Sequence, residues 1–257
     1  MLQRKAAGEK DNNMRNIFIL VKRELRSYFQ TPIAYIFLIT FLFLNGLFTF
    51  YIGNFFTRAQ ADLIVFFSFH PWLYMVCIPA LTMRTWAEER KTGTIELLFT
   101  LPITSFEAVI SKFLAAWLFI IIALVLTVPI WLSVNYLGSP DNGVIFASYL
   151  GSILMAGAFL AIGVCISAFT KNQVVAFVLT LVICLLFNIS GFSLVLDGLT
   201  NWLPSKLVAT INSFSFLANF DAITKGLIEF TSIVYFCTII CCGLFANMIV
   251  IEMKKAE

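Results

Sequence analysis

Six stretches of this chain contain no Asp, Glu, Lys or Arg, and no other feature constrains its fold as strongly. They cover residues 33–52, 66–83, 113–137, 144–169, 174–196 and 231–251. Crossing a hydrocarbon layer takes about 20 helical residues at about 1.5 Å of rise each, so every run is long enough and the second is the shortest. Lys or Arg at mid-bilayer would cost roughly 2.5–3.5 kcal/mol on insertion, and none of the runs carries one. A membrane barrel would alternate polar and apolar residues, and these runs do not alternate. Composition agrees, with 60% of residues hydrophobic and 12% charged, about half the charged share of a soluble domain. The expected fold is all-α, a polytopic membrane protein with six transmembrane helices.

The basic residues set an orientation. Arg58, Lys206 and Lys225 fall in the first, third and fifth connections; the other Lys and Arg of the 17 lie before the first run, in the second and fourth connections, or in the tail. By the positive-inside rule both termini are cytosolic. Residues 1–13 are polar and aperiodic and are expected to be a disordered cytosolic extension. Residues 14–31 read as an amphipathic interfacial helix. Phe18, Val21, Leu25 and Tyr28 recur at helical spacing, with Lys22, Arg23 and Arg26 on the remaining arc facing the headgroups. The Thr31-Pro32 step ends it, and residues 32–255 form the membrane domain.

The second connection carries the clearest functional pattern. Trp86-Ala87-Glu88-Glu89-Arg90-Lys91-Thr92-Gly93 leads into Thr94-Ile95-Glu96-Leu97-Leu98-Phe99-Thr100-Leu101-Pro102. Gly93 breaks the incoming helix and Thr94 can cap a new one at about 94–101, with Glu96 favoured in its first turn. Ile95, Leu98 and Phe99 share one face. A short apolar helix between charged ends suits a groove on another protein; packing against the bilayer or the chain's own helices is the alternative.

Glu88 through Leu98, with Leu101-Pro102, resembles the signature of type-two ABC-transporter permease subunits. Val21-Lys22-Arg23-Glu24-Leu25 with Pro32-Ile33-Ala34-Tyr35 is similar to that family's entry helix, and Ser111-Lys112-Phe113-Leu114-Ala115 to the start of its third span. Phe220-Asp221-Ala222-Ile223-Thr224-Lys225-Gly226-Leu227-Ile228 and Val234-Tyr235-Phe236 resemble the gliding-motility ABC permease subunits of Bacteroidetes. The resemblance implies a six-helix subunit in the bacterial inner membrane, paired with a second permease protomer, identical or related. It also implies that 94–101 is a coupling helix seated on a cytosolic ABC ATPase. Glu88, Glu89, Arg90 and Lys91 would then make ionic contacts, and Ile95, Leu98 and Phe99 the apolar anchor.

Energetics point the same way. No G-x-x-x-x-G-K-[ST] occurs, so ATP and Mg would be held by the partner subunit and no cofactor by this chain. No run places an acid or base at mid-membrane for ion coupling. A secondary transporter or channel, and a non-transporting scaffold driven mechanically by the ATPase, are the alternatives to export. Nothing suggests nucleic acid, and no acid–base or Cys/His set converges for catalysis or metal binding. Cys237 and Cys241, a helical turn apart, read as small apolar residues. Ser152, Ala156, Gly163 and Ser167 form a small-residue stripe that lets another helix approach, within the protomer or across a dimer. Pro71, Pro79 and Pro129 mark kinks, and 197–230 reads as short interfacial helices on the outer face.

Overall fold

The computed structural model describes the backbone of residues 2–58, 60–100, 103–200, 204–227 and 229–255, and side chains over the same ranges except 2–13, 97–99 and 255. Every regular element among them is helical. In chain order they are α1 (Leu2–Gln30), α2 (Pro32–Leu47, widening into a π turn at Phe48–Ile52), α3 (Ile64–Ser68), α4 (His70–Thr82), α5 (Ala87–Thr92), α6 (Thr94–Thr100) and α7 (Ser105–Val125). Then follow α8 (Val128–Leu137), α9 (Asn142–Phe169), α10 (Gln173–Ile189), α11 (Ser193–Thr200), α12 (Ser205–Ser213), α13 (Phe216–Thr224) and α14 (Phe230–Lys255).

Four helical stretches are long and apolar enough to cross a membrane: Pro32–Ile52, Ser105–Leu137, Asn142–Phe169 and Phe230–Lys254. A fifth exists if α10 and α11, bent by 67° at 190–192, count as one span. Against the six expected, four or five such spans are therefore found among the described residues. The run at 66–83 is not one long helix: α3 ends at Ser68 and α4 restarts at His70 with Pro71 in its first turn. The 13 residues of α4 reach only about 20 Å, short of a hydrocarbon core of about 30 Å. The fifth run breaks early because Gly191 lies so close to α13 that a Cβ there would stand 2.2 Å from Ser215 Oγ. Ser215 is held in place as the cap of α13, accepting from Leu217 N and Ala218 N. Beyond that bend come three short helices, α11, α12 and α13.

α1 runs without a break at residue 13, where the polar extension was expected to end. No proline interrupts residues 2–30, and Arg4, Lys5, Ala6, Ala7, Glu9 and Lys10 are ordinary helix formers. Its apolar face divides. Leu20 and Val21 are buried, and Tyr28 and Phe29 pack on Phe119 of α7 with ring centroids 5.6 Å apart in each case. Phe18 instead is exposed, as are Lys22, Arg23 and Arg26.

α9 is the axis of the bundle. It packs on α4, α7, α10, α13 and α14, and 78% of its most apolar stretch is buried, against 28% for α2 and 17% for α14. Its small residues permit this: a Cβ on Gly157 would meet Ile240 of α14 at 2.9 Å, and one on Gly151 would meet Ile223 of α13 at 2.8 Å. α2 and α14 turn most of their side chains outward, as lipid-facing helices do. Two buried amides are tied to backbone carbonyls, Asn45 Nδ2 donating to Phe41 O and Asn188 Nδ2 to Pro71 O, each at 3.0 Å.

Candidate functional site

The pattern singled out at 86–102 lies at the end of the bundle where α1, α4, α7, α9 and α14 meet. Trp86, fully buried, pins its root. It sits in an apolar cluster with Ala108 and Val109 of α7, Val164 and Ala168 of α9, and Val250 and Ile251 of α14.

α5 is locked to α9 by an exchange of caps. The first backbone N–H groups of a helix lack intrahelical acceptors, and here Ser167 Oγ of α9 accepts from Trp86 N and Ala87 N, both at 3.1 Å. The same hydroxyl donates to Met83 O at 3.2 Å, so its one donor and both lone pairs are used. In return Arg90 Nη1 donates to Ala168 O at 2.7 Å, where α9 has run out of its own partners.

On its other side α5 is held by a buried cation. Lys112 of α7, 4% exposed, places Nζ 2.5 Å from Glu89 Oε1 and 3.5 Å from Glu24 Oε2 of α1. The ammonium also lies 5.0 Å from the Trp86 ring centroid, within cation–π range. One lysine thus joins α1, α5 and α7. Thr104 and Glu107 form a capping box at the start of α7, and Asn16 Nδ2 donates to Glu107 Oε1 at 3.3 Å, a second tie to α1.

Burial alone would raise the Glu24 carboxyl. The Lys112 charge, the Arg23 hydrogen bond and charge, and the Lys112 hydrogen bond outweigh it and hold Glu24 below its ordinary 4.5. A depressed carboxylate stabilises the folded form above its unfolded value and loses that contribution as pH falls through the folded one. The stability difference between the parent chain and Glu24→Gln is therefore expected to be flat above about pH 5 and to shrink below 4.5. Thermal melts of both in detergent across that range check it; a difference that grows on acidification refutes it.

Gly93 adopts φ 74°, left-handed, which lets α5 stop and α6 begin one residue later. Thr94 Oγ1 reaches back to Thr92 Oγ1 at 3.0 Å and to Glu89 O at 3.4 Å. Lys91, Thr92, Gly93, Thr94 and Glu96 are exposed. Ile95, expected on a partner-facing side, is partly buried against the Trp86 cluster. The side chains of Leu97, Leu98 and Phe99, and all of Leu101 and Pro102, lie outside the described residues. Of the four charges expected to meet a partner, three are engaged within this chain: Glu88 with Arg84 at 3.2 Å, Glu89 with Lys112, and Arg90 with Ala168 O.

The small-residue stripe of α9 lies along α4 and α5. Ser152 Oγ is 2.6 Å from Tyr74 OH and 2.9 Å from His70 Nδ1. A Cβ on Gly163 would stand 2.3 Å from Thr82 Oγ1. Ser167 is the α5 cap, and Ala156 is fully buried. His70 is enclosed by Phe41, Phe66, Phe67 and Tyr74. Among the described residues no group of three His, Cys, Asp or Glu could hold a metal.

A family model described as ABC-2 family transporter protein matches residues 48–240, well over half of the chain. The chain belongs to that family. It is thus an ABC-2 permease, a multi-pass membrane component that lacks a nucleotide site and pairs with ABC ATPase subunits. No curated protein matches it. The matched stretch takes in α5–α6 and all of α7 and α9, and leaves out α1. Glu24, Trp86 and Lys112 of this ABC-2 permease were not assigned to the site from sequence. A lone lysine at the head of an apolar run and an acid on the basic arc of α1 were the available signals for Lys112 and Glu24.

Proposed function

We propose that this chain is the membrane subunit of an ABC exporter, or of ATP-driven gliding-motility or secretion machinery, in a bacterial inner membrane. In this reading α5–α6 is the coupling element, seated on a separate cytosolic ATPase that holds ATP and Mg. A second permease protomer completes the complex. Counting α3–α4 as the second pass gives six passes and puts both termini on one side, which the distribution of Lys and Arg makes cytosolic. Lys22, Arg23 and Arg26 then face anionic headgroups.

The observation that carries the reading is the division of labour at Gly93. The root of the element is tied to three other helices, while Lys91 near the end of α5 and Thr94 and Glu96 on α6, a short helix of apolar sequence, remain exposed. A firmly anchored root with exposed residues beyond it is what a lever pushed by a partner needs.

Truncating two anchors of the docking face, Leu98→Ala with Phe99→Ala, is expected to weaken ATPase binding. Hot-spot truncations cost more than about 1 kcal/mol each, so the pair should lower affinity at least about tenfold. Co-purification of the ATPase with the double variant measures this, and full retention would remove the docking assignment. Export and purely mechanical drive share the element; they separate on whether a small molecule or a protein partner stimulates ATP hydrolysis by the complex.

A further inference from the structure

α4 leads directly into α5, yet it is a poor rod. Pro79 interrupts its hydrogen bonding, and an irregular turn at 83–86 separates it from α5. α9, by contrast, is 28 residues long with no proline. It grips α5 at one end and α13 at the other: Ser167 and Arg90 join it to α5, and Gly151 brings it against Ile223. Ser167 and Gly151 are about 24 Å apart along the helix at about 1.5 Å per residue. Between them Gly163 sits tight on Thr82, so α4 rides on α9.

We propose that Ser167 and Arg90 are positioning residues of coupling: they hand the displacement of α5–α6 to α9, which carries it as one rod to α13 at the opposite end of the bundle. This rests on the docking reading of α5–α6 and adds the route the motion takes. The reciprocal cap suits the task. Each helix terminus satisfies polar groups of the other, so neither can slide without exposing unpaired backbone. α13 is then driven from the far face.

The test uses the full complex with its ATPase in lipid nanodiscs, spin labels on Lys225→Cys and Tyr136→Cys, and the native cysteines replaced. Lys225 follows α13 and Tyr136 lies near the end of α8; both are exposed. In the otherwise unsubstituted chain, trapping with ATP and vanadate is expected to shift the 225–136 distance. Ser167→Ala should abolish the shift while the ATPase still co-purifies, and Ser167→Thr, which keeps the hydroxyl, should restore it. Arg90→Gln is read the same way and serves if Ser167→Ala does not fold. A shift that persists in Ser167→Ala and Arg90→Gln overturns the route while leaving docking intact. So does a bound ATPase with no shift in the unsubstituted chain. Failure of the ATPase to bind that chain at all overturns the docking reading and the route with it.

Discussion

Lys112→Met is expected to be among the most damaging single substitutions in this chain, with a loss of about 3–5 kcal/mol when a buried ion pair is broken from one side. The lysine is 4% exposed, and its partners Glu24 and Glu89 are 17% and 24% exposed. Removing the ammonium strips the largely buried Glu89 carboxylate of its Lys112 counter-ion and leaves Glu24 with the half-exposed Arg23 alone. The two carboxylates' remaining contact with water moves the loss toward the lower end of that range. α1 should detach first, because its polar tie to α7 at this point is the Lys112–Glu24 contact. Combining Lys112→Met with Glu24→Gln and Glu89→Gln should recover much of the loss, since neutral groups of the same shape do not carry the desolvation penalty. Thermal unfolding in detergent, with proteolysis of α1 as a local readout, compares the three chains. A single variant as stable as the parent, or a triple variant no better than the single, would rule out this electrostatic junction.

The sequence is informative about this junction only in part, and the reason is physical. Charge-free runs report which residues water cannot solvate, so the helical class and most of the spans are legible in them. They do not report where a helix must stop. The run at 66–83 is apolar throughout, but Pro71 starts a new helix and the chain redirects at Phe69. The bend after Ile189 depends on Gly191 meeting Ser215, a contact between residues 24 positions apart that no local window contains. The division of α1 is similar. Helical periodicity places Phe18 and Tyr28 on one face, and only the position of Phe119 on α7 assigns Tyr28 to protein and leaves Phe18 outside.

The site follows the same rule. Gly93 as a helix break is legible because a left-handed residue between two helical stretches calls for glycine. The small-residue stripe of α9 is legible as a close-approach face, but its partner is not, since Ser152, Gly163 and Ser167 would suit a second protomer as well as α4 and α5. Glu88, Glu89 and Arg90 illustrate the converse: a charged cluster beside an apolar helix invites a partner, and the structure finds acceptors and counter-ions for all three inside the chain.

Gly163→Ala is the second substitution expected to have a large effect, because one methyl group is placed where α4 and α9 already touch. The new Cβ would lie 2.3 Å from Thr82 Oγ1, 2.9 Å from its Cβ and 3.1 Å from its Cγ2. Thr82 cannot easily give way. It is β-branched, fully buried, and its hydroxyl donates to Ile78 O at 3.0 Å, so rotating it sacrifices that bond or drives Cγ2 into the packing. Overpacking of this kind costs about 1–3 kcal/mol, and the helices should separate slightly, loosening the Ser167 cap one turn further on. Adding Thr82→Ala removes Oγ1 and Cγ2 and should restore part of the stability, leaving the Cβ–Cβ contact. Gly46→Ala in α2 supplies the control, since a Cβ there meets nothing within 4 Å; a helical Gly-to-Ala change without a clash should be neutral or gain up to about 1 kcal/mol. Melting temperatures of the four chains decide the matter. If Gly163→Ala behaves like Gly46→Ala, α4 and α9 are not in tight contact and α4 does not ride on α9.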